Sequence, residues 1–176
     1  MTRIVAVSGS RRADSTTRTA LEVALDGAAA AGAETGMIDL GAVDLPLYHP
    51  DEDAQGDSEA LKRRVREADG VLAGTPVYRG SYSSTFKNFH DFCGSTEYEN
   101  TAVGLLATAG GGSYGGTLEH LRSTFRNVHA WTVPHEVGIR GASSVVDEAG
   151  IADDEVRERT ERLGRVVVEH AERLRE

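Results

Sequence analysis

The sequence predicts one α/β domain over residues 1–176, an open sheet of five parallel strands with helices on both faces. Three observations carry this expectation. Short β-branched runs alternate with longer helix-like segments along the chain, and no internal repeat interrupts them. The strand-like runs are apolar with little two-residue alternation, as expected of strands covered on both sides. A length of 176 residues, with 39% hydrophobic and 27% charged side chains, suits one ordinary domain with its own core. Such a chain buries roughly 70% of the surface it exposes when unfolded, so it needs no disulfide or metal staple.

The elements follow in order. Residues 3–8 (RIVAVS) read as the first strand, and the loop 9–15 leads into a helix over 16–31 that ends at Gly32, a good residue to follow a helix C-terminus. Residues 34–40 form a weaker second strand, and 41–57 a polar, acidic loop holding Pro46 and Pro50. A helix is expected over 58–68 with Ser58 as its N-cap. Residues 70–75 (GVLAGT) make a compact third strand that stops at Pro76, which cannot donate to a ladder. The helix 82–93 carries Phe86, Phe89 and Phe92 three apart on one face, serving either the core or a contact between subunits. Residues 101–108 are the fourth strand, and the glycine-rich 110–116 loop opens a helix over 117–127. A fifth strand is expected over 128–133, with Trp131 in the core or at an oligomer contact, then irregular chain over 134–150. An amphipathic helix over 152–176 closes the chain with Val156, Leu163, Val167 and Leu174 inward.

Composition excludes several classes. Asp and Glu number 28 against 19 Lys and Arg, a net charge of −9 that repels phosphate backbones and argues against general nucleic-acid binding. Only Lys62 and Lys87 are lysines; the other basic residues are arginine. Excess carboxylate with scarce lysine predicts salt adaptation, against the duller alternative of GC-rich coding. One cysteine, Cys93, excludes an internal disulfide and a Cys-based zinc cluster, and its helical setting reads as packing. The six histidines show no metal-ligand spacing, so no metal is expected. No apolar run approaches the ~20 residues that span a bilayer. The opening MTRIVAVSGS enters a strand directly, so the expected compartment is the cytoplasm.

In such a sheet the ligand sits beyond the carboxyl ends of the strands, where strand order reverses, which directs attention to three loops. Residues 8–18 (SGSRRADSTTR) combine Gly9, the hydroxyls of Ser10, Ser15, Thr16 and Thr17, and Arg12 at a helix N-terminus. That is an anion site, against the plainer reading that Ser15 or Thr16 only caps the helix. The loop lacks both GxxxxGK[ST] and GxGxxG. Residues 74–88 (GTPVYRGSYSSTFKN) offer a turn stiffened by Pro76, with Tyr78 and Gly80, suited to the edge of a planar heterocycle. Residues 108–116 (TAGGGSYGG) spend three consecutive glycines, which implies close approach of a ligand to backbone.

GSRRADS, TPVYRGSYSSTFKN and AGGGSYGG, in that order, resemble the NADPH-dependent FMN reductase family, flavodoxin-like enzymes that include quinone, azo-dye and chromate reductases. The likeness covers residues 3 to about 133. It implies a flavodoxin-like sheet of order 2-1-3-4-5, FMN as cofactor, NADPH or NADH as donor and a small-molecule acceptor. It further implies a homodimer or homotetramer and no catalytic side chain, since the flavin performs the chemistry. The family's GSxRxxS falls on Gly9, Ser10, Arg12 and Ser15, implying that Ser10 and Ser15 hold the FMN phosphate, with Thr16 and Thr17 nearby and Arg12 beside it. The second motif falls on Pro76, Tyr78, Ser81, Lys87 and Asn88, implying that Pro76, Val77, Tyr78 and Arg79 line the isoalloxazine ring. The third places Ala109, Gly110, Gly111 and Gly112 on the flavin's other side. Val77, Arg79 and Ser83 stand where the family commonly has Glu, Asn and Pro. A flavodoxin-type electron carrier is the competing reading, but it would show a TxTGxT turn where this chain has GSRRADS.

Overall fold

A computed structural model describes residues 1–175. Strands β1 (Arg3–Ser8), β2 (Glu34–Asp39), β3 (Gly70–Pro76), β4 (Ala102–Thr108) and β5 (Trp131–Ile139) form one parallel sheet of order β2-β1-β3-β4-β5, as expected. β1 pairs with β2 on one side and β3 on the other, in continuous register from Ile4 opposite Gly70 to Ser8 opposite Gly74. The chain therefore turns outward in opposite directions after β1 and β3, and a crevice opens at their carboxyl ends.

Alternating strand residues supply two cores. Ile4 and Ala6 face helices α1 (Thr16–Ala30) and α7 (Asp154–Leu174). Val5 and Val7 face α2 (Ser58–Arg66), α3 (Ser84–Phe92) and α5 (Gly115–Asn127), with the single turn α4 (Ser95–Tyr98) beside them. α1 and α7 cross where Gly27 meets the Glu161 backbone and Gly164 meets the Ala24 carbonyl, so a side chain at either glycine would push the helices apart. Leu163 and Val167 are fully buried, and Val156 and Leu174 pack at the margin of the same core.

Gly32 follows α1 at φ +90°, the conformation its position requires. Other boundaries moved for local reasons. Ser58 is not an N-cap: Asp57 holds that position, and Ser58 Oγ instead accepts the Gln55 N–H at 3.2 Å. α3 starts at Ser84 because Ser83 caps it, accepting the Phe86 N–H at 3.0 Å. Phe86 and Phe89 are 1% and 0% exposed, and Phe86 meets Phe125 edge to face, so their face of α3 belongs to the core and not to a subunit contact. Trp131 is 60% exposed and is not core.

The largest departure is β5. Residues 128–130 close α5, with His129 at φ +64°, and the strand runs from Trp131 through Pro134 to Ile139. Pro134 survives there because β5 is an edge strand and the ladder is irregular: Val103 faces Thr132, but Leu105 faces Glu136. The span expected to be irregular also holds α6 (Ala142–Val145) and a small antiparallel hairpin, β6 (Val146–Asp147) and β7 (Gly150–Ile151).

Candidate active site at the carboxyl edge of the sheet

The β1–α1 loop ends in a helix N-terminus with free backbone donors. Ser15 caps α1, its Oγ accepting the Arg18 N–H at 3.1 Å while its carbonyl accepts the Thr19 N–H. The Thr16 and Thr17 N–H groups find no acceptor among the described residues, so two donors remain at the positive end of the helix dipole. Arg18 braces the loop, donating to the Ala13 carbonyl at 2.6 Å and pairing with Asp39 at 3.1 Å. Arg12, with no carboxylate partner among the described residues, supplies free positive charge.

The predicted hydroxyls divide. Ser15 and Thr16 line the cleft. Ser10 is 3% exposed and turns back on its own loop, its Oγ accepting the Arg12 N–H at 3.3 Å. Thr17 is 1% exposed and bonds Thr108 instead. Gly9 serves packing: an added Cβ would lie 2.7 Å from Phe86 Cβ and 3.0 Å from Ser83 Oγ. Ser83, which departs from the family pattern, joins two of the loops by donating its hydroxyl to the Gly9 carbonyl at 2.6 Å.

The β3–α3 loop is a tight hairpin. Tyr78 N–H donates to the Ser81 carbonyl and Ser81 N–H to the Tyr78 carbonyl, with Arg79 at φ +52° and Gly80 at φ +78° between them. Two successive positive φ values define the primed turn that fits a two-residue connection. The N–H groups of Arg79 and Gly80 find no acceptor among the described residues. Ser81 Oγ lies 2.9 Å from His120 Nδ1, tying the turn to α5. Pro76, Val77 and Tyr78 line the cleft; Arg79 and Ser81 stand outside its lining. Asn88 has a structural task, clamping the 46–48 segment through the Pro46 carbonyl and the Tyr48 N–H. Lys87 pairs with Asp91 at 2.5 Å.

Ala109 and Gly110 line the third side, while Gly111 and Gly112, next along the chain, stand outside the lining. An added Cβ at Gly110, Gly111 or Gly112 would meet nothing within 4 Å, and none of the three has positive φ. Neither the fold nor the backbone conformation requires glycine here. What the missing side chains provide is bare, open backbone.

The fourth wall was not legible in the sequence. Ala142, Ser143, Val146, Asp147 and Glu148, on α6 and the β6–β7 hairpin, face α1 across the cleft. The turn residues Asp147 to Gly150 between Val146 and Ile151 were the available signal. The hairpin adds Asp147 and Glu148 to Asp14 and Glu22, so Arg12 and the α1 N-terminus form the positive pole of an otherwise acidic rim. The cleft measures about 730 Å³, within the usual range for a small-molecule site.

Two buried groups away from the cleft have shifted pKa values. Burial among Phe86, Tyr98 and Phe125 pushes the His90 imidazole down. Burial, then the nearby Glu97 charge, pushes the Cys93 thiol up to about 12, which leaves it inert. Among the described residues no cluster of three or more His, Cys, Asp or Glu is placed to hold a metal ion. No helix among them is long and apolar enough to cross a membrane.

The model of the NADPH-dependent FMN reductase family matches residues 2–144. The chain belongs to that family. An NADPH azoreductase of Bacillus sp. strain OY1-2 is 38% identical over 109 residues, covering 60% of this chain and 61% of the relative. The match thus spans about three-fifths of that relative's length. Among solved structures, the apo form of the NADH:FMN oxidoreductase EMOB superposes with a TM-score of 0.77 at 23% identity, covering 98% of this chain and 90% of that one. A flavodoxin from the domain Archaea superposes at 0.69 with 13% identity, covering 99% of each chain. At these identities the likeness is one of fold, and the fold is flavodoxin-like.

Proposed function

We propose that this family member is an FMN-dependent NAD(P)H oxidoreductase acting on a small acceptor such as a quinone, an azo compound or free flavin. One observation carries the reading: at the strand-order switch, an unfilled helix N-terminus and an uncovered glycine surface face the same cleft. The residues fit FMN. The Thr16 and Thr17 N–H groups, the hydroxyls of Ser15 and Thr16, and Arg12 suit its phosphate. Pro76, Val77 and Tyr78 on one side, and Ala109 and Gly110 on the other, suit the two borders of its ring. FMN supplies two-electron redox chemistry when bound; the chain contributes position, charge and exclusion of water.

Tyr78, 50% exposed at the rim, covers one edge while leaving the cleft open to a second flat molecule. With one open face, nicotinamide and acceptor use the same place in turn, a ping-pong order. The relative's name, NADPH azoreductase, supports NADPH as donor and an azo compound among the acceptors. Oligomerisation as a homodimer or homotetramer and a cytoplasmic location complete the reading.

Anaerobic mixing of the FMN-loaded protein with NADPH tests it. The 450 nm absorbance should bleach without a partner protein and recover on adding a quinone, with parallel double-reciprocal plots in steady state. A yellow protein that bleaches only with a separate reductase is an electron carrier. A protein that takes up no FMN is neither.

A further inference from the structure

We propose that Arg140 is a positioning residue: it holds the Gly111–Gly112 peptide so that Gly110, Gly111 and Gly112 present three backbone N–H donors in one row, which eases reduction of the planar cofactor bound beside it. The inference rests on the reductase reading above and deepens it by naming the side chain that tunes the cofactor. The row follows from where the carbonyls go. Ala142 N–H donates to the Ala109 carbonyl at 2.9 Å, Gly141 N–H to the Gly110 carbonyl at 2.7 Å, and Arg140 Nε–H to the Gly111 carbonyl at 3.1 Å. The 140–142 segment thus takes three successive carbonyls of the glycine loop. No peptide bond among the described residues is cis. In a trans peptide the carbonyl of one residue and the N–H of the next point in opposite directions. Gly110, Gly111 and Gly112 therefore all turn their N–H groups away from the 140–142 segment.

None of these N–H groups finds an acceptor among the described residues. Sheet order says which way they face. β4 lies between β3 and β5, and the 140–142 segment continues β5. Away from that segment is the side of β3, whose last residue Pro76 lines the cleft with Val77, Tyr78 and Gly110. The donors are also uncovered, since a methyl on Gly110, Gly111 or Gly112 would meet nothing within 4 Å. Two of the three anchors are main-chain groups, which side-chain replacement leaves in place. The third is a side chain, and it alone fixes the last donor of the row. Donors beside an electron-accepting ring favour its electron-rich form, because hydrogen bonds to a charged acceptor are about twice as strong as those to a neutral one.

Potentiometric titration of the FMN-loaded protein tests the role without turnover, with dithionite supplying the electrons, water the protons and a reference dye the scale. Arg140→Met keeps a long side chain and removes the donor. Its affinity for reduced FMN should fall about fivefold relative to that for oxidised FMN, which lowers the midpoint potential by about 20 mV at about 30 mV per tenfold for a two-electron couple. Arg140→Gln sets an amide nitrogen as many bonds from Cα as Nε and removes only the charge, so its potential should match that of the unmodified protein. An unchanged potential in Arg140→Met overturns the positioning role. An equal drop in Arg140→Gln overturns it too, because charge and not the hydrogen bond would then be responsible. Failure of the unmodified protein to take up FMN would instead remove the reductase reading, and this inference with it.

Discussion

Thr17 Oγ1 and Thr108 Oγ1 lie 2.6 Å apart, a buried hydroxyl pair that ties the first turn of α1 to the last residue of β4. The N-terminus of α1 and the strand that delivers the glycine loop are therefore one unit. Thr17→Val leaves the Thr108 hydroxyl buried without its partner and should cost ~1–3 kcal/mol in urea unfolding. Replacing both threonines by valine should recover most of that loss, because two apolar groups of the same shape leave nothing unsatisfied. Simply additive losses would show the pair to be uncoupled.

Ser15 both caps α1 and lines the cleft, and two substitutions separate the roles. Ser15→Ala removes the cap and should lower stability by ~1 kcal/mol while weakening FMN. Ser15→Asp keeps a capping oxygen and favours the helix dipole, so stability should hold, yet its charge repels the phosphate and FMN affinity should fall about tenfold or more. If Ser15→Asp binds FMN normally, the phosphate lies elsewhere.

Gly111→Ala reads the uncovered loop. The added methyl meets nothing in the chain, and an alanine restricts the unfolded state, so stability should stay level or rise by up to ~1 kcal/mol. On the reading proposed above, FMN or nucleotide affinity should nevertheless drop, since the methyl covers open backbone beside the lining residue Gly110. A variant with unchanged thermal stability and unchanged binding would remove the glycine surface from the site.

His90 governs part of the acid response. The residue is 6% exposed, its Nδ1 finds no partner among the described residues, and burial holds its pKa below the ordinary 6.5. The unfolded chain therefore takes up a proton before the folded one. The stability His90 contributes is complete above about pH 6.5 and drains away as pH falls through the lower folded value. His90→Phe, entering a cage of Phe86, Tyr98 and Phe125, should flatten the fall in Tm below pH 6.5. An unchanged slope would place the acid sensitivity in another group.

The parallel sheet with helices on both faces and the three loops that meet at the cleft were legible in the sequence because periodicity, glycines and hydroxyls are local signals, whereas the strand order followed from the family resemblance. Long-range partners decided what was not. Gly9 reads as ligand-facing until Phe86 is seen against it, and Ser10 and Thr17 read as ligand hydroxyls until the Arg12 N–H and Thr108 claim them. Pro134 reads as a strand end, yet it is accommodated at an edge with an irregular register. The 142–151 segment lacks any apolar run long enough to stand out, and its place opposite α1 depends on where β5 ends.

That hairpin lies largely beyond residue 144, where the family match stops, and it makes no strand pair with the central sheet. Ala142, Val146 and Ile151 anchor the segment in the core, which leaves the turn from Asp147 to Gly150 as the part that can be exchanged without disturbing the sheet. On the reductase reading proposed above, grafting other turns there is a route to retuning which acceptors the cleft admits.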